Sequence, residues 1–555
     1  MSKQDVTIFG IDLGTTYSCI AYVDEYGKAV IIPNSEGDRT TPSVVQFEES
    51  NRVVGKEAKN SAVLNPKQVV EMVKRHMGEA EWRFPYNGTE YTAEEVSSYI
   101  LRKLADDAEQ YLGRPVEDVV ITCPAYFGIA QREATAKAGE IAGLSVHEVI
   151  NEPTAAAIMY GLQNERDQVV LVYDLGGGTF DVTVIEIKGG SITVVATGGD
   201  HHLGGRNWDE AVVMYLAEQW QAETGSSDDP TDSDESLQDL WGKAELAKWA
   251  LTAKQETKVV VTHAGQRAGV MLTRDKFNEL TANLLERTVG FTKSTIDYAK
   301  SHGYSKFDQI LLVGGSTKMP QVSERLNTEF GIPLKVFEPD EAVAKGAATY
   351  GYKLALDEKI QIKVAEMTGT SAENVDMSEV SQTVVKRAQE SVARESGLKL
   401  ESVQRYADIS VTNVASHSFG IIVVDDDKSN KEVIANMVIV NDALPAEIKK
   451  TFHTLEANQE LVEIKVMENA VGAHRVDDIS AGEEIGNALL NLPPRLPLHA
   501  PIEVTFELDR QGRLHVVGRE PTSNALIEID IQTSHGISEE ELRQAKARSN
   551  RLVIS

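Results

Sequence analysis

The sequence predicts a two-lobed α/β unit, then a mainly-β sandwich domain, then a short C-terminal helix. Three observations carry this. An unusual strand–turn–strand pattern occurs twice, 162 positions apart. Strands alternate with helices up to residue 356, which is the signature of α/β layering. From residue 408 the chain becomes short strands divided by turn sequences.

At 555 residues the chain is too long for one hydrophobic core. A hydrophobic content of 41% and a charged content of 25% are ordinary for soluble globular protein. The net charge of −30 disfavours non-specific nucleic-acid binding. Apolar runs fall well short of the ~20 residues of a membrane span, and MSKQDV is followed by no signal-peptide core. A cytoplasmic protein is expected, with neither nucleic acid nor membrane as partner. Cys19 and Cys123 both lie in apolar, strand-like runs. They read as buried thiols, with no disulfide framework.

The repeated pattern comes first. Residues 6–23 read VTIFGIDLGTTYSCIAYV, and residues 169–187 read VVLVYDLGGGTFDVTVIEI. Each is an apolar strand, Asp-Leu-Gly, Thr, and a second strand, which predicts a hairpin in each of two lobes built on one plan. Between and after them, helices are expected at 94–112, 131–143, 207–220, 237–253 and 276–302, and a buried strand at 116–124. Residues 309–320 (QILLVGGSTKMP) read as strand, Gly-rich turn and a helix opened by Pro320. Residues 357–407 are charged and Ser-rich, an insertion and linker with one helix near 378–395. In the β domain, 408–535, strands are expected at 419–424, 438–440, 462–466, 502–508, 514–517 and 526–531, with turns at 509–512 and 521–524. Residues 538–541 (SEEE) form a capping box that opens the last helix, 536–555.

Gly-rich turns after strands bring backbone N–H groups close to a phosphate, and neighbouring hydroxyls add donors. Two such turns facing each other would grip a polyphosphate from both sides. Asp12 and Asp174 would then repel the phosphates unless a divalent cation stood between them. Mg²⁺ suits this role because it keeps waters and uses few carboxylates, so both Asp residues read as water-mediated ligands. Competing motifs fail. There is no P-loop. His147-Glu148 opens like a zinc-protease motif, but Asn151 stands where the second ligand would be. His201-His202 has no Cys or carboxylate at ligand spacing and reads as a solvated loop.

The chain resembles the seventy-kilodalton heat-shock (DnaK-type) chaperone family of the actin-like ATPase superfamily, in the form of a bacterial-type member lacking most of the helical lid. The stretches that carry the resemblance are IDLGTTYS (11–18), TCPAYF (122–127), INEPTAAAIMYG (150–161), DLGGGTFDV (174–182), HLGG (202–205), LLVGGSTKMP (311–320), PDEAVAKGAA (339–348) and IEVTFELDRQGRLHV (502–516). It implies an actin-like ATPase domain at 1–356 that hydrolyses ATP to ADP with Mg²⁺, with K⁺ as a further candidate ion. Asp12, Gly14, Thr15, Thr16 and Tyr17 would form one phosphate loop, and Gly176, Gly177, Gly178 and Thr179 the other. Asp174, Asp181 and Glu152 would orient the Mg²⁺ waters and the attacking water, and Lys74 would reach the γ-phosphate region. Gly204 and Gly205 would lie near the phosphates, and Glu245 and Lys248 near the ribose or adenine. Gly314, Gly315, Ser316 and Asp340 would enclose the adenosine. Val424, Phe452, Leu455, Val462 and Ile464 would line a groove for extended apolar segments of unfolded clients, with Pro124 and Arg132 relaying between domains. Partners implied are a J-domain co-chaperone and a nucleotide-exchange factor.

Four features depart from the family pattern. The chain stops at Ser555, after the first lid helix at most. The linker, 408–416 (DISVTNVAS), is more polar than the family's and follows the 357–407 insertion. Trp249 and Lys318 stand where the family has arginines beside the adenine, and Glu148 where it often has an arginine that meets J-domains. These departures keep an alternative open: an ATP-switched binding module for one dedicated partner. An actin-like filament protein and a small-molecule kinase are the other readings of the same ATPase signature. The C-terminal β domain opposes the first, and the lack of an acceptor site outside the matched motifs opposes the second.

Overall fold

The computed structural model describes residues 7–164, 166–425, 431–523, 525–530 and 537–555. Residues 1–6, Asn524, Ile531 and the domain boundary at 535/536 lie outside them.

Two six-stranded sheets organise the α/β part. The main path of the first runs Ser145–Asn151, Asp118–Cys123, Ile8–Asp12, Tyr17–Val23, Ala29–Ile32. The second runs Leu334–Val336, Gln309–Val313, Gln168–Leu175, Phe180–Lys188, Ser191–Asp200, and ends on Ser410–Thr412. In each sheet the first strand in sequence forms an antiparallel hairpin with the next and lies parallel to a later strand on its other side. The two lobes are therefore one plan repeated. The apolar runs are near-continuous because both faces of these strands are covered. Val170 and Val172 enter the core between the sheets, and Leu171, Tyr173 and Leu175 enter the core outside.

The helices Glu152–Gln163 and Ala342–Thr368 pack on each other between the sheets. Their contact depends on a missing side chain. A Cβ at Gly346 would stand 1.8 Å from the Ala155 carbonyl oxygen.

Ala342–Thr368 is unbroken, so the boundary drawn at 356/357 falls inside a helix. Much of 357–407 belongs to the same core through Ile360, Val364, Ala388, Val392, Val403 and Tyr406. The helix expected from 378 starts at Gln382, because Asp376 ties down the Ser378 N–H and hydroxyl in a preceding turn. An unforeseen helix, Leu400–Ala407, follows it and places the Tyr406 hydroxyl 2.5 Å from the Gly27 carbonyl.

The β domain is two antiparallel sheets packed on one core, as expected of a sandwich. Three of its strands, Ala446–His453, Gly482–Asn491 and the two-residue Arg475–Val476, were not foreseen. The strand expected at 438–440 instead ends at Val438, where Asp442 takes the Ile439 N–H at 2.8 Å and Asn441 turns left-handed. Helix Glu539–Ser549, opened by the expected capping box, packs on Ile129–Ile141. Val553–Ile554 then adds a strand parallel to Asn51–Val54.

Replacing Gly346 with Ala should lower stability by about 1–3 kcal/mol, the usual cost of overpacking a tight core. Urea unfolding of the nucleotide-free protein would measure it. A change within experimental error would show that the two helices can separate freely.

Candidate functional site

The two hairpin turns meet. A Cβ at Gly177 would fall 2.3 Å from the Thr16 hydroxyl, and one at Gly178 2.3 Å from the Thr15 methyl. Glycine is required here for close approach. Two further segments close on the same point. Gly204 abuts the Gly178 backbone, and Gly205 lies against the Ser316 hydroxyl. The Gly176 carbonyl accepts from Ser316 Oγ at 3.0 Å and from the Gly205 N–H at 2.9 Å.

A cavity of about 430 Å³ opens around this contact. It brings together Asp12, Gly14, Thr15, Thr16, Tyr17, Lys74, Glu152, Asp174, Gly176, Gly177, Thr179, Glu245, Lys248, Gly314, Gly315, Ser316 and Asp340. Gly178, Gly204, Gly205 and Asp181 stand just behind the wall. Asp181 is the cross-strand partner of Asp174 and accepts the Tyr126 N–H at 3.0 Å. Trp249 and Lys318 also line the cavity. Sequence reasoning missed Arg206 and Asp209, which line it too. Their signal was helical spacing: Arg206 directly follows HLGG, and Asp209 lies one turn further along the same helix.

The charges are crowded and dry. Lys74 and Glu152, both buried, pair at 2.5 Å. Burial works against the charge on Lys74, but Glu152 and Asp12 outweigh it and raise its affinity for the proton. Burial, then the Glu152 carboxylate, pushes Asp12 up to about 7. The same causes push Asp181 up to about 7 and hold Asp174 well above the usual range. Four carboxylates thus face one lysine, an arrangement that suits a divalent cation. Among the described residues, no three of His, Cys, Asp and Glu converge closely enough to ligate a metal directly.

His147 lies 2.7 Å from Asp118, and the rings of His201 and His202 lie 4.2 Å apart, tilted to each other. Of the groove residues, Leu455 is exposed and Val424 half-buried, while Phe452 and Val462 are half-buried and pack against the edge of the sandwich core. Ile464 is 2% exposed and packs in the sandwich core, against Gly518, rather than facing outward. Arg132 donates to Asn151 and to the Phe127 carbonyl, and Pro124 accepts the Phe127 N–H. These anchor the loop that meets the sandwich.

The fold and cleft define a two-lobed nucleotide-binding architecture joined to a β domain. The Hsp70 protein family model matches residues 8–85, 79–368 and 388–552. Chaperone protein DnaK from Halobacterium salinarum, strains R1 and NRC-1, is 39% identical over 545 residues, covering 96% of this chain and 76% of each relative. The chain belongs to the Hsp70 family. The unmatched interval, 369–387, lies within the 357–407 insertion. No helix among the described residues is long and apolar enough to cross a membrane.

With Asp12 and Asp181 pushed up to about 7, the folded protein holds protons that the unfolded chain releases nearer pH 4. Their contribution to nucleotide-free stability is therefore favourable below about pH 4 and is lost as pH rises towards 7. A Mg²⁺–nucleotide bound in this cavity would need the carboxylates ionised. Its affinity should fall as pH drops from 8 to 6, by roughly tenfold per carboxylate. Calorimetric titration in two buffers should show proton release. Affinity flat across this range would contradict the buried-carboxylate account.

Proposed function

We propose that the protein is an ATP-dependent molecular chaperone that uses hydrolysis of ATP to ADP to regulate its hold on extended apolar segments of unfolded clients. The observation that carries this is the contact of the two glycine turns at the mouth of a cavity of ligand size. We divide the chain into a nucleotide-binding domain with its appended helices, a sandwich that binds clients, and a C-terminal helix.

In this reading, backbone N–H groups and hydroxyls of residues 14–17 and 176–179 cradle the polyphosphate. Lys74, fixed by Glu152, presents its charge to the terminal phosphoryl group. Mg²⁺, held through water by Asp12 and Asp174 and by the nucleotide's own phosphates, would neutralise charge on the polyphosphate. Asp181, anchored by the Tyr126 N–H, holds the attacking water and takes its proton as the bond to the β-phosphate oxygen breaks. Glu245 and Lys248 face the ribose, and Gly314, Gly315, Ser316 and Asp340 the base. Asp209 Oδ1 is buried without a hydrogen-bond partner among the described residues, which suits a ligand hydroxyl.

Coupling to the sandwich is supported by one short path. Tyr126, whose N–H binds Asp181, packs its ring 4.7 Å from His417, and Ser416 Oγ donates to Phe127 O at 3.2 Å. The linker strand Ser410–Thr412 pairs with Ser191–Asp200 on the edge of the second sheet. Val424, Phe452, Val462 and Leu455 are the surface we propose for the client. A J-domain protein and an exchange factor are the expected co-factors of the cycle. The second reading, a module for one dedicated partner, is favoured by Glu148, which is engaged by the Tyr350 hydroxyl and by Gln511 of the sandwich.

The test is release of a fluorescent, extended apolar peptide on adding Mg-ATP. Wild type should bind peptide and release it at least tenfold faster with ATP. Asp174→Asn should abolish the ATP effect, and Phe452→Ala should weaken peptide binding. ATP hydrolysis with no peptide binding would overturn the general-client reading in favour of the dedicated partner.

A further inference from the structure

A smaller cavity of about 90 Å³ lies beside the main one and shares Thr15, Thr16, Arg206, Asp209 and Glu245 with it. Five basic side chains line the two cavities: Lys59, Lys74, Lys248, Lys318 and Arg206. The four lysines are each held by a carboxylate. Lys59 meets Glu245, Lys74 meets Glu152 and Lys318 meets Asp340, each at 2.5 Å, and Lys248 meets Asp209 at 2.8 Å.

Arg206 differs. Its guanidinium lies over the Trp241 ring, 3.4 Å from the centroid. Its nearest carboxylate, Glu71, stands at 3.7 Å, beyond hydrogen-bond distance. Among the described residues its side chain makes no hydrogen bond, although a guanidinium carries five donors. Neighbouring Arg75 is engaged through Nε and Nη2: it donates to the carbonyls of Gly178 and His202 and to Asn207 Oδ1. Arg75 and Arg206 repel each other, and burial opposes the charge on both. The Arg206 N–H donates to Gly177 O at 2.8 Å, so the root of the side chain is pinned beside the second glycine turn.

A half-buried guanidinium at the junction of two cavities, near Glu71, Asp209 and Glu245 but hydrogen-bonded to none of them, is placed to take an anion. The Thr15–Thr16 and Gly176–Gly177 turns mark where one would lie. We infer that Arg206 is a phosphate ligand of the nucleotide: its guanidinium tilts off Trp241 and donates to the polyphosphate of a nucleotide seated in the main cavity. This rests on the nucleotide reading above and adds a ligand that the sequence did not reveal. The alternative role is structural, with the guanidinium parked on Trp241 whatever is bound.

The experiment compares ADP, ATP and adenosine binding by calorimetry in wild type, Arg206→Gln and Arg206→Lys, alongside Trp241 emission obtained by difference from Trp241→Phe. Arg206→Gln should lose roughly ten- to hundredfold affinity for ADP and ATP while keeping adenosine within about twofold. Arg206→Lys should recover part of the loss. ADP, and not adenosine, should change Trp241 emission in wild type. Equal losses for ADP and adenosine, or no loss at all, would overturn the inference and leave the nucleotide reading intact. A wild type that binds none of the three would overturn both. Unfolding midpoints without nucleotide show whether the variants fold equally well.

Discussion

The structure depends on two turns, from two different sheets, touching where one of them can carry no Cβ. Gly177 and Gly178 close on Thr16 and Thr15, and this contact exists only if the sheets stand at one separation. That separation is set at a distance, by the helices Glu152–Gln163 and Ala342–Thr368 packed between the sheets through Gly346 and Ala155. Gly10 repeats the device on the first sheet, where a Cβ would stand 2.0 Å from the Ala348 nitrogen. Small residues at the helix–helix and helix–strand contacts and glycines in the turns are thus one requirement met at two places. Any change in the angle between lobes must pass through the same interface, because close-packed interiors transmit displacement rather than absorb it.

The closed turns bring carboxylates together in a dry site. Lys74 is the cation nearest Asp12, Glu152, Asp174 and Asp181, with Arg132 adding to it at Asp181, and Lys74 is already committed to Glu152. The remaining three hold their protons far above the usual carboxylate range because burial and mutual repulsion oppose ionisation. Stability is forgone for a site that gains from an added cation. Perturbed groups of this kind cluster where chemistry occurs, though structural networks also produce them. Here the geometry adds what the proton affinities alone would not: Asp12, Glu152 and Asp174 line the same cavity as the two glycine turns, with Asp181 paired across from Asp174.

The parts of this arrangement legible in the sequence were those written in local pattern. The duplicated Asp-Leu-Gly-Thr hairpins, the two-faced apolar strands and the VGGST turn each declare themselves within a dozen residues. Parts that depend on tertiary contact did not. Arg206 and Asp209 look like an ordinary solvated first turn until the second hairpin is placed beside them. Ala446–His453 carries Lys449, Lys450 and Thr451 in mid-strand, which blurs the alternation on which a strand is recognised. Leu400–Ala407 is only two turns long, too short for periodicity to accumulate. Ile464 alternates correctly along its strand, but alternation fixes faces only relative to each other. It cannot say which face meets the opposite sheet and which meets a ligand.

The polar linker bears on how the two halves communicate. A linker that docked by side-chain burial alone would need an apolar run, and residues 408–416 do not supply one. The observed attachment is of another kind. Ser410–Thr412 joins the second sheet as a parallel edge strand, so main-chain hydrogen bonds supply the attachment, and these are indifferent to side-chain polarity. Alternation then needs only one apolar face, which Ile409 and Val411 share, and Val414, beyond the strand, also packs towards the core between the lobes. The strand lies two places from Phe180–Lys188, which carries Asp181, and the Thr197 N–H on the intervening strand is bound by Asn441 of the sandwich at 2.8 Å. The second glycine turn is therefore joined, through Phe180–Lys188 and Ser191–Asp200, both to the linker strand and to the sandwich loop. A shift of the turn that alters the twist of that sheet changes the edge on which the linker sits, whichever side chains the linker carries.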